Sequence, residues 1–365
     1  MAMRPGMQKG ARRTGRQEGA RRMVGRLIGL AILLTCMAAA TGSGTSLAQD
    51  LRFFRIGTGT TAGTYFPIGA IIANAISGPP GAPPCEIGGS CGVPGLIAIA
   101  QASSGSVENI ANIRAGTIES GFTQADIATW AYTGTGLYAE AGPVADLRAI
   151  AHLYDELIHV VVPADSPVET VADLRGKRVA LGDEGSGTLI DARLVLEAYG
   201  LREADIEPFY IPPAPASDAM LAGELDAFVF VGGVPLVAVE DLARRMPIRL
   251  VAFDDPVAEA LDARIPFFTM AALPAEAYPG VGPVQTLAVG AMWVVSAAVD
   301  EEIIYGLTRA LWHPTTQAAL ANGHERGRAI TIGNALRGVA IPLHPGALRY
   351  YREVELIGDS DAEVK

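Results

Sequence analysis

Short apolar runs alternate with segments of helical periodicity along most of the chain, and this alternation limits the fold more than any other feature. The runs have the length of strands, and apolar residues in the segments between them recur every three or four positions. Layered α/β proteins with parallel strands show this pattern. The sequence therefore predicts an α/β fold. The strand-like runs cover residues 53–56, 147–153, 157–162, 178–181, 227–231 and 248–253.

A turn with three glycines and four threonines, residues 57–64, joins the first run to the first predicted helix. Apolar residues between Ile68 and Ile76 fall on one helix face, and Pro67 suits the first turn. Free N–H groups and hydroxyls therefore meet at the positive end of a helix dipole. This geometry predicts an anion-binding site.

Two later turns have the same form. Residues 183–188 lead into a predicted helix at 189–199, where Ser186 or Thr188 can act as the cap. Residues 230–235 follow another strand in the same way. A capped helix with nothing bound would also explain one such turn, but three that converge favour a ligand site.

A dinucleotide site is the first alternative, since Gly57, Gly59 and Ala62 match the G-x-G-x-x-A spacing. That fingerprint needs an acidic residue about 20 positions further on, at the end of the next strand. Residues 57–84 contain no Asp or Glu, and prolines and glycines follow the helix. The sequence thus argues against a nicotinamide cofactor.

Catalytic and metal patterns are weak, so we expect neither an enzyme nor a bound cofactor or metal. Ser186 lies in Gly-Ser-Gly and lacks the G-x-S-x-G context of a nucleophile. No histidine stands at a metal-binding or nucleophile-base spacing. The histidines are His152, His159, His313, His324 and His344.

The first 48 residues are predicted to be a signal peptide that directs the chain to the periplasm. Eight basic residues precede an apolar run at 27–40, which is short for a membrane span. Small residues at Ser46 and Ala48 place cleavage near Ala48. An uncleaved anchor, lipidation at Cys36 and twin-arginine export remain alternatives.

Removal of residues 1–48 leaves 20 of the 28 basic and 38 of the 39 acidic residues, a net charge of −18. So acidic a protein is a poor candidate for binding nucleic acid. Cys85 and Cys91 remain, and two glycines between them allow a short ring to close, which favours a disulfide in an oxidising compartment. A metal site is disfavoured because no histidine is near them in the sequence.

Several motifs in order resemble the TAXI family of solute-binding proteins, which serve tripartite ATP-independent periplasmic (TRAP) transporters. The resemblance covers about residues 53–354, and it depends on all of the motifs occurring together in the same order as in the family. The motifs are GTGTTAGTYFPIG at 57–69, ESGFTQAD at 119–126, LYDELIHVVV at 153–162, ADLRGKRV at 172–179, GSGT at 185–188, LDAF at 225–228, and LHPGA at 343–347 followed by Tyr350 and Tyr351.

The resemblance implies a type II periplasmic-binding-protein fold, with two α/β lobes that are joined by a hinge and close on a ligand. Lobe I would comprise residues 49–163 and 284–365, and lobe II residues 164–283. Family members bind glutamate or related carboxylates and deliver them to TRAP membrane permease subunits. The chain departs from the usual family loop at Thr61 and Ala62, where glycines are common. A periplasmic sensor that uses the same cleft is the alternative function, and a monomer is expected.

Ligand-binding residues follow from the turns and the resemblance together. Tyr65 could equally pack the first helical turn, and Gln124 could form a polar pair with Asp126. Arg178 beside the second turn could be a counter-ion, although a surface arginine is the simpler interpretation. The predicted ligand-binding residues are Thr58, Thr61, Gly63, Thr64, Tyr65, Gln124, Ser186, Gly187, Thr188 and Gly232.

Overall fold

The computed structural model describes residues 51–87 and 89–358, in which strands and helices alternate. The strands are β1 (Arg52–Gly57), β2 (Ser77–Gly78), β3 (Val93–Pro94), β4 (Leu96–Gln101), β5 (Ser120–Gln124), β6 (Leu147–Pro163), β7 (Arg178–Ala180), β8 (Glu207–Phe209), β9 (Ala227–Gly232), β10 (Ile248–Leu250), β11 (Thr269–Leu273) and β12 (Val284–Ser296). The helices are α1 (Tyr65–Ile76), α2 (Ser106–Arg114), α3 (Ala125–Thr133), α4 (Gly187–Ala198), α5 (Pro213–Leu221), α6 (Val237–Arg245), α7 (Pro256–Arg264), α8 (Glu301–Leu311), α9 (Pro314–Gly323) and α10 (Pro345–Glu353).

Two halves of the main sheet repeat one strand order. In the first half the order is β4-β1-β5-β12-β6, and β12 runs antiparallel to both of its neighbours. In the second half the order is β8-β7-β9-β6-β10, with β6 antiparallel to both β9 and β10. Each half thus places its second, first and third strands side by side, followed by a returning strand and the fourth strand.

This repeated order, with two strands that cross between the halves, is the type II periplasmic-binding-protein topology predicted above, and the predicted fold class is confirmed. The crossing strands are β6 and β12, of 17 and 13 residues. They pair with each other over most of their length, so they form the connection about which two lobes could rotate.

The hydrophobic core is divided in the same way. One cluster takes its residues from 54–154 and 291–357, and two others take theirs from 157–289. The boundary between the first cluster and the other two lies inside β6 and β12. The predicted lobe limits, at residues 163 and 284, lie in the same two strands and remain a prediction.

The two predicted strands at 147–153 and 157–162 form the single strand β6. The polar residues Asp155 and Glu156 lie between the two predicted runs. The strand continues because both residues pair with β12, Asp155 with Gly290 and Glu156 with Val289. The backbone hydrogen bonds to β12 hold both residues in an extended conformation, although their side chains are polar.

Helices α1 and α4 carry two of the predicted turns at their N-termini. α1 begins at Tyr65 and buries Ile68, Ile72 and Ile76 on one face, as the periodicity predicted. α4 begins at Gly187, and Ser186 caps it by accepting a hydrogen bond from the Leu189 N–H (3.1 Å). Each helix therefore directs its first N–H groups away from the core and toward the end of the sheet.

The structure joins Cys85 and Cys91 in a disulfide, the pairing that their spacing favoured. The fold also brings His313 next to it, with Nε2 3.7 Å from the Cys85 Sγ, which sequence distance did not indicate. Sulfur atoms joined in a disulfide supply no thiolate for a metal.

Opening this disulfide is expected to lower the free energy of unfolding by about 2 kcal/mol, because a ring of so few residues removes little entropy from the unfolded chain. Urea unfolding of the purified protein with and without dithiothreitol measures the loss. A Cys85→Ser/Cys91→Ser variant should not respond to the reductant. Equal stability of the oxidised and reduced wild type would contradict the prediction.

Within the described residues, no helix combines the length and the apolar character needed to cross a bilayer. The predicted signal peptide, its cleavage point and Cys36 lie outside the described residues.

Candidate functional site

A small cavity lies where the two halves of the molecule meet. The turns before α1, α2 and α4 contribute to it, together with the end of β5 and residues of β6 and β9. The cavity has a volume of about 40 Å³, more than the minimum that one water needs. Its lining residues are Gly59, Thr60, Gly63, Thr64, Tyr65, Ser104, Gly105, Ser106, Gln124, Glu156, Ser186, Gly187, Thr188, Phe230 and Val231.

The turn before α1 forms one wall. The Gly63 N–H donates to the Thr60 carbonyl (3.0 Å), which closes the turn and leaves Thr64 at the start of the helix. The Thr64 hydroxyl donates to the Gly233 carbonyl of the other half (2.8 Å). Thr64 therefore links the halves and is not free to donate to a ligand in this conformation.

The turn before α4 forms the opposite wall and contacts the first half closely. A Cβ atom at Gly187 would lie 1.8 Å from Gln124 Oε1 and 2.7 Å from Ser106 Oγ. Glycine is therefore required there for the observed approach of the halves. Thr188 uses its hydroxyl to accept from the Val231 N–H (3.1 Å), which fixes the turn to β9.

A fourth turn, which the sequence reasoning missed, lies at Ser104–Ser106 before α2. The Val107 and Glu108 N–H groups donate to the Gly185 carbonyl (3.1 and 3.0 Å), a second backbone link between the halves. The signal was present, since a serine- and glycine-rich stretch follows β4 as similar stretches follow β1 and β7. The strand β4 itself was not among the predicted runs, so this stretch was not recognised as a turn that follows a strand.

Gln124 lies at the end of β5 beneath the cavity and is 2% exposed. Its Nε2 donates to Asp191 Oδ2 on α4 (2.8 Å), and its Oε1 has no donor among the described residues. The predicted pair with Asp126 is therefore replaced by a contact with Asp191. Asp126 itself faces Asp191, and both carboxyl groups are fully buried.

Glu156 on β6 is the acidic group of the cavity wall, and the sequence reasoning missed it. It is 3% exposed and accepts a hydrogen bond from the Tyr65 hydroxyl (2.7 Å). Burial, which outweighs the Tyr65 bond, raises the pKa of Glu156 to about 8. The group is thus a neutral carboxylic acid at pH 7. A charged residue inside an apolar strand was the signal that could have identified it.

Tyr65 has both of the roles considered from the sequence. Its ring packs edge-on against Phe122 with centroids 5.6 Å apart, and its hydroxyl lies at the cavity on Glu156. Seven predicted residues come together at the cavity. They are Gly63, Thr64, Tyr65, Gln124, Ser186, Gly187 and Thr188.

Three predicted residues lie elsewhere. Thr58 is buried and donates to the Gln101 carbonyl (2.8 Å), so its hydroxyl fixes β1 to β4. Thr61 is exposed on the outer side of its turn. Gly232 packs against Leu236, while the two residues before it line the cavity. A turn presents only part of its length to one side, and the sequence did not show which part.

The cavity walls provide polar groups but no side-chain cation. None of the described residues that line it is Lys or Arg. Arg178, considered as a counter-ion, instead pairs with Asp226 (2.7 Å) away from the cavity. An anion placed here would depend on helix N-terminal amides, on hydroxyls and on the neutral Glu156.

Known proteins resemble this chain in part. A protein of Escherichia coli strain K12, named for binding aliphatic sulfonates, is 39% identical over 69 residues, which is 19% of this chain and 21% of that protein. The match therefore spans about a fifth of that relative.

Two solved structures overlap more of the chain at lower identity. An alkanesulfonate-binding protein from Xanthomonas axonopodis pv. citri, bound to MOPS, has a TM-score of 0.45 and 18% identity, with 83% of this chain and 84% of that chain covered. A Bordetella bronchiseptica protein has a TM-score of 0.47 and 15% identity, with 86% and 92% covered. The fold assignment rests on the strand order described above.

The family assignment depends on a longer match. The model of the NMT1-like family matches residues 56–354, from the end of β1 to the residue after α10. This range contains every residue that lines the cavity. The chain belongs to the NMT1-like family.

Proposed function

We propose that this protein is a periplasmic solute-binding receptor of a membrane transporter, which captures a small anion by closure of two lobes. The observation that carries the proposal is the cavity, because both halves of the molecule supply its walls and polar contacts cross it. Those contacts are Thr64 with Gly233, Gln124 with Asp191, and the N–H groups of Val107 and Glu108 with Gly185.

Closure provides the mechanism of capture. When the halves separate, these groups return to water, and the walls of the cavity become the two sides of an open cleft. A ligand that satisfies amides from both sides favours the closed state by its differential affinity. Binding and release are then the whole activity, so we propose no catalytic reaction and no cofactor.

We propose a carboxylate as the ligand, delivered to TRAP permease subunits as the TAXI resemblance implies. A protonated Glu156 at the cavity wall can donate a hydrogen bond to one carboxylate oxygen. A sulfonate is the second candidate, supported by the name of the Escherichia coli relative. Its tetrahedral head group carries three acceptor oxygens instead of two.

A thermal-shift comparison separates the two ligand classes. The chain is purified after export and screened with glutamate, dicarboxylates, keto acids, and alkanesulfonates of matched length. A carboxylate at 100 times its Kd should raise the free energy of unfolding by about 2.7 kcal/mol. A shift with sulfonates alone would replace the carboxylate proposal, and no shift with either class would count against the receptor itself.

A periplasmic sensor would bind its ligand in the same way, so binding alone does not distinguish it from a transport receptor. Uptake of the radiolabelled ligand by cells that lack the receptor makes the distinction. Loss of uptake, restored by the wild-type gene, is the expected result. Normal uptake together with a lost transcriptional response would favour the sensor.

A further inference from the structure

Two buried carboxyl groups face each other from opposite halves of the molecule. Asp126 lies in the first turn of α3, and Asp191 lies in α4, one turn beyond Gly187. Neither residue is exposed to solvent. Gln124 donates to Asp191 Oδ2 (2.8 Å) and holds the pair against the floor of the ligand cavity.

No positively charged side chain among the described residues pairs with either carboxyl group. Both Asp126 oxygens and Asp191 Oδ1 have no donor among the described residues, and neither does Gln124 Oε1 beside them. The third acidic group that faces the pair is Glu156 on β6. Two ionised carboxylates in a dry site without a cation would repel each other strongly.

The groups around the pair offer little compensation. Tyr65 from α1 donates to Glu156, and Asp155 adds further negative charge near it. The positive charge of Arg326 lowers the pKa of Glu156, and Arg326 Nε donates a hydrogen bond to the Val234 carbonyl (3.2 Å). The first N–H groups of α3 lower the pKa of Asp126 only. A proton is therefore the simplest neutralising species.

We propose that Asp126 and Asp191 form a proton site assembled by lobe closure, so that ligand capture takes up one proton. The proposal rests on the receptor function above, because it concerns the same closing movement. A proton fits better than a metal ion, since among the described residues the pair forms no set of three His, Cys or carboxylate ligand atoms close enough together to hold one ion.

The direction of the pH effect follows from burial. Burial raises the pKa of Asp126 to about 6 and holds the pKa of Asp191 well above its usual value, where the neighbouring Asp126 adds to the effect. In an open state both groups meet water and return toward ordinary values. The closed state therefore binds more protons, and closure weakens as pH rises through the raised pKa values of the pair.

Small-angle X-ray scattering of the exported chain between pH 5.5 and 9, without ligand, tests this inference. We expect the radius of gyration of the wild type to increase with pH as the lobes open. Asp191→Asn carries a neutral amide in place of the protonated carboxyl and should change less with pH than the wild type, with only the part due to Glu156 remaining. Asp165→Asn, at an exposed aspartate, should behave as the wild type does.

Two results would overturn the inference. One is a wild-type radius that does not change with pH, and the other is an Asp191→Asn variant that still follows pH as the wild type does. Closure that depends on added Ca²⁺ or Mg²⁺ and is reversed by EDTA would assign the site to a cation instead. Asp126→Asn provides the reciprocal test if Asp191→Asn does not fold.

A ligand, once identified, supplies a quantitative check. Uptake of one proton on binding makes the affinity fall tenfold for each pH unit between the open-state pKa and the raised closed-state pKa of the pair, and level off above the latter. Asp191→Asn should abolish that slope and still bind. If no ligand is found, the scattering result stands by itself, so failure of the receptor proposal and failure of the proton site remain distinguishable.

Discussion

Gly187→Ala should hold the two lobes apart and weaken ligand binding by about 5- to 150-fold, the effect of an overpacking cost of roughly 1–3 kcal/mol. The new Cβ atom would lie 1.8 Å from Gln124 Oε1, which belongs to the opposite half. Gln124 can make room only by moving its amide away from Asp191, because Ser106 Oγ also approaches to 2.7 Å. The closed state loses stability, and the separate lobes do not.

Scattering and titration with the identified ligand test this expectation together. The variant should show a larger radius of gyration than the wild type at pH 6, and weaker affinity. Gly282→Ala is the matched control, since a Cβ atom there meets no atom within 4 Å. Wild-type affinity in the Gly187 variant would show that the contact with Gln124 does not govern closure.

The α/β class was accessible from the sequence because local patterns and the overall arrangement agree, whereas the two-lobe topology was predicted from the family resemblance. The strand at 53–56, the stripe from Ile68 to Ile76 and the Ser186 cap are all local signals, and the structure shows each of them. β6 was divided in the prediction, because the ladder that extends it through Asp155 comes from β12, far away in the sequence.

The cavity was predictable only in part, for a related reason. A glycine-rich turn before a helix indicates where amides will point, and seven of the chosen residues do line the cavity. Which side of a turn faces the cavity depends on packing, as the outward position of Thr61 shows. Glu156 and Asp191 gain their importance from burial, which appears only once the halves are assembled.

Glu156→Gln is expected to remove most of the stability loss that the ionisation of Glu156 causes as pH rises. Burial raises the pKa of Glu156 from 4.5 to about 8, so the folded state binds this proton more tightly than the unfolded chain does. The resulting stabilisation is complete below about pH 4.5 and is lost as pH rises to about 8. Over that window the wild type should lose roughly 3–5 kcal/mol through this group.

Urea unfolding at pH 5, 6.5, 8 and 9 measures the effect as the difference between variant and wild type, which cancels the contributions of other groups. The variant should gain stability relative to the wild type as pH rises, because glutamine keeps the contact with the Tyr65 hydroxyl and cannot ionise. Glu197→Gln, at an exposed glutamate, should show no such trend. A constant difference across this range would mean that Glu156 stays ionised in the folded protein, and an anion could then occupy the cavity only against a buried negative charge.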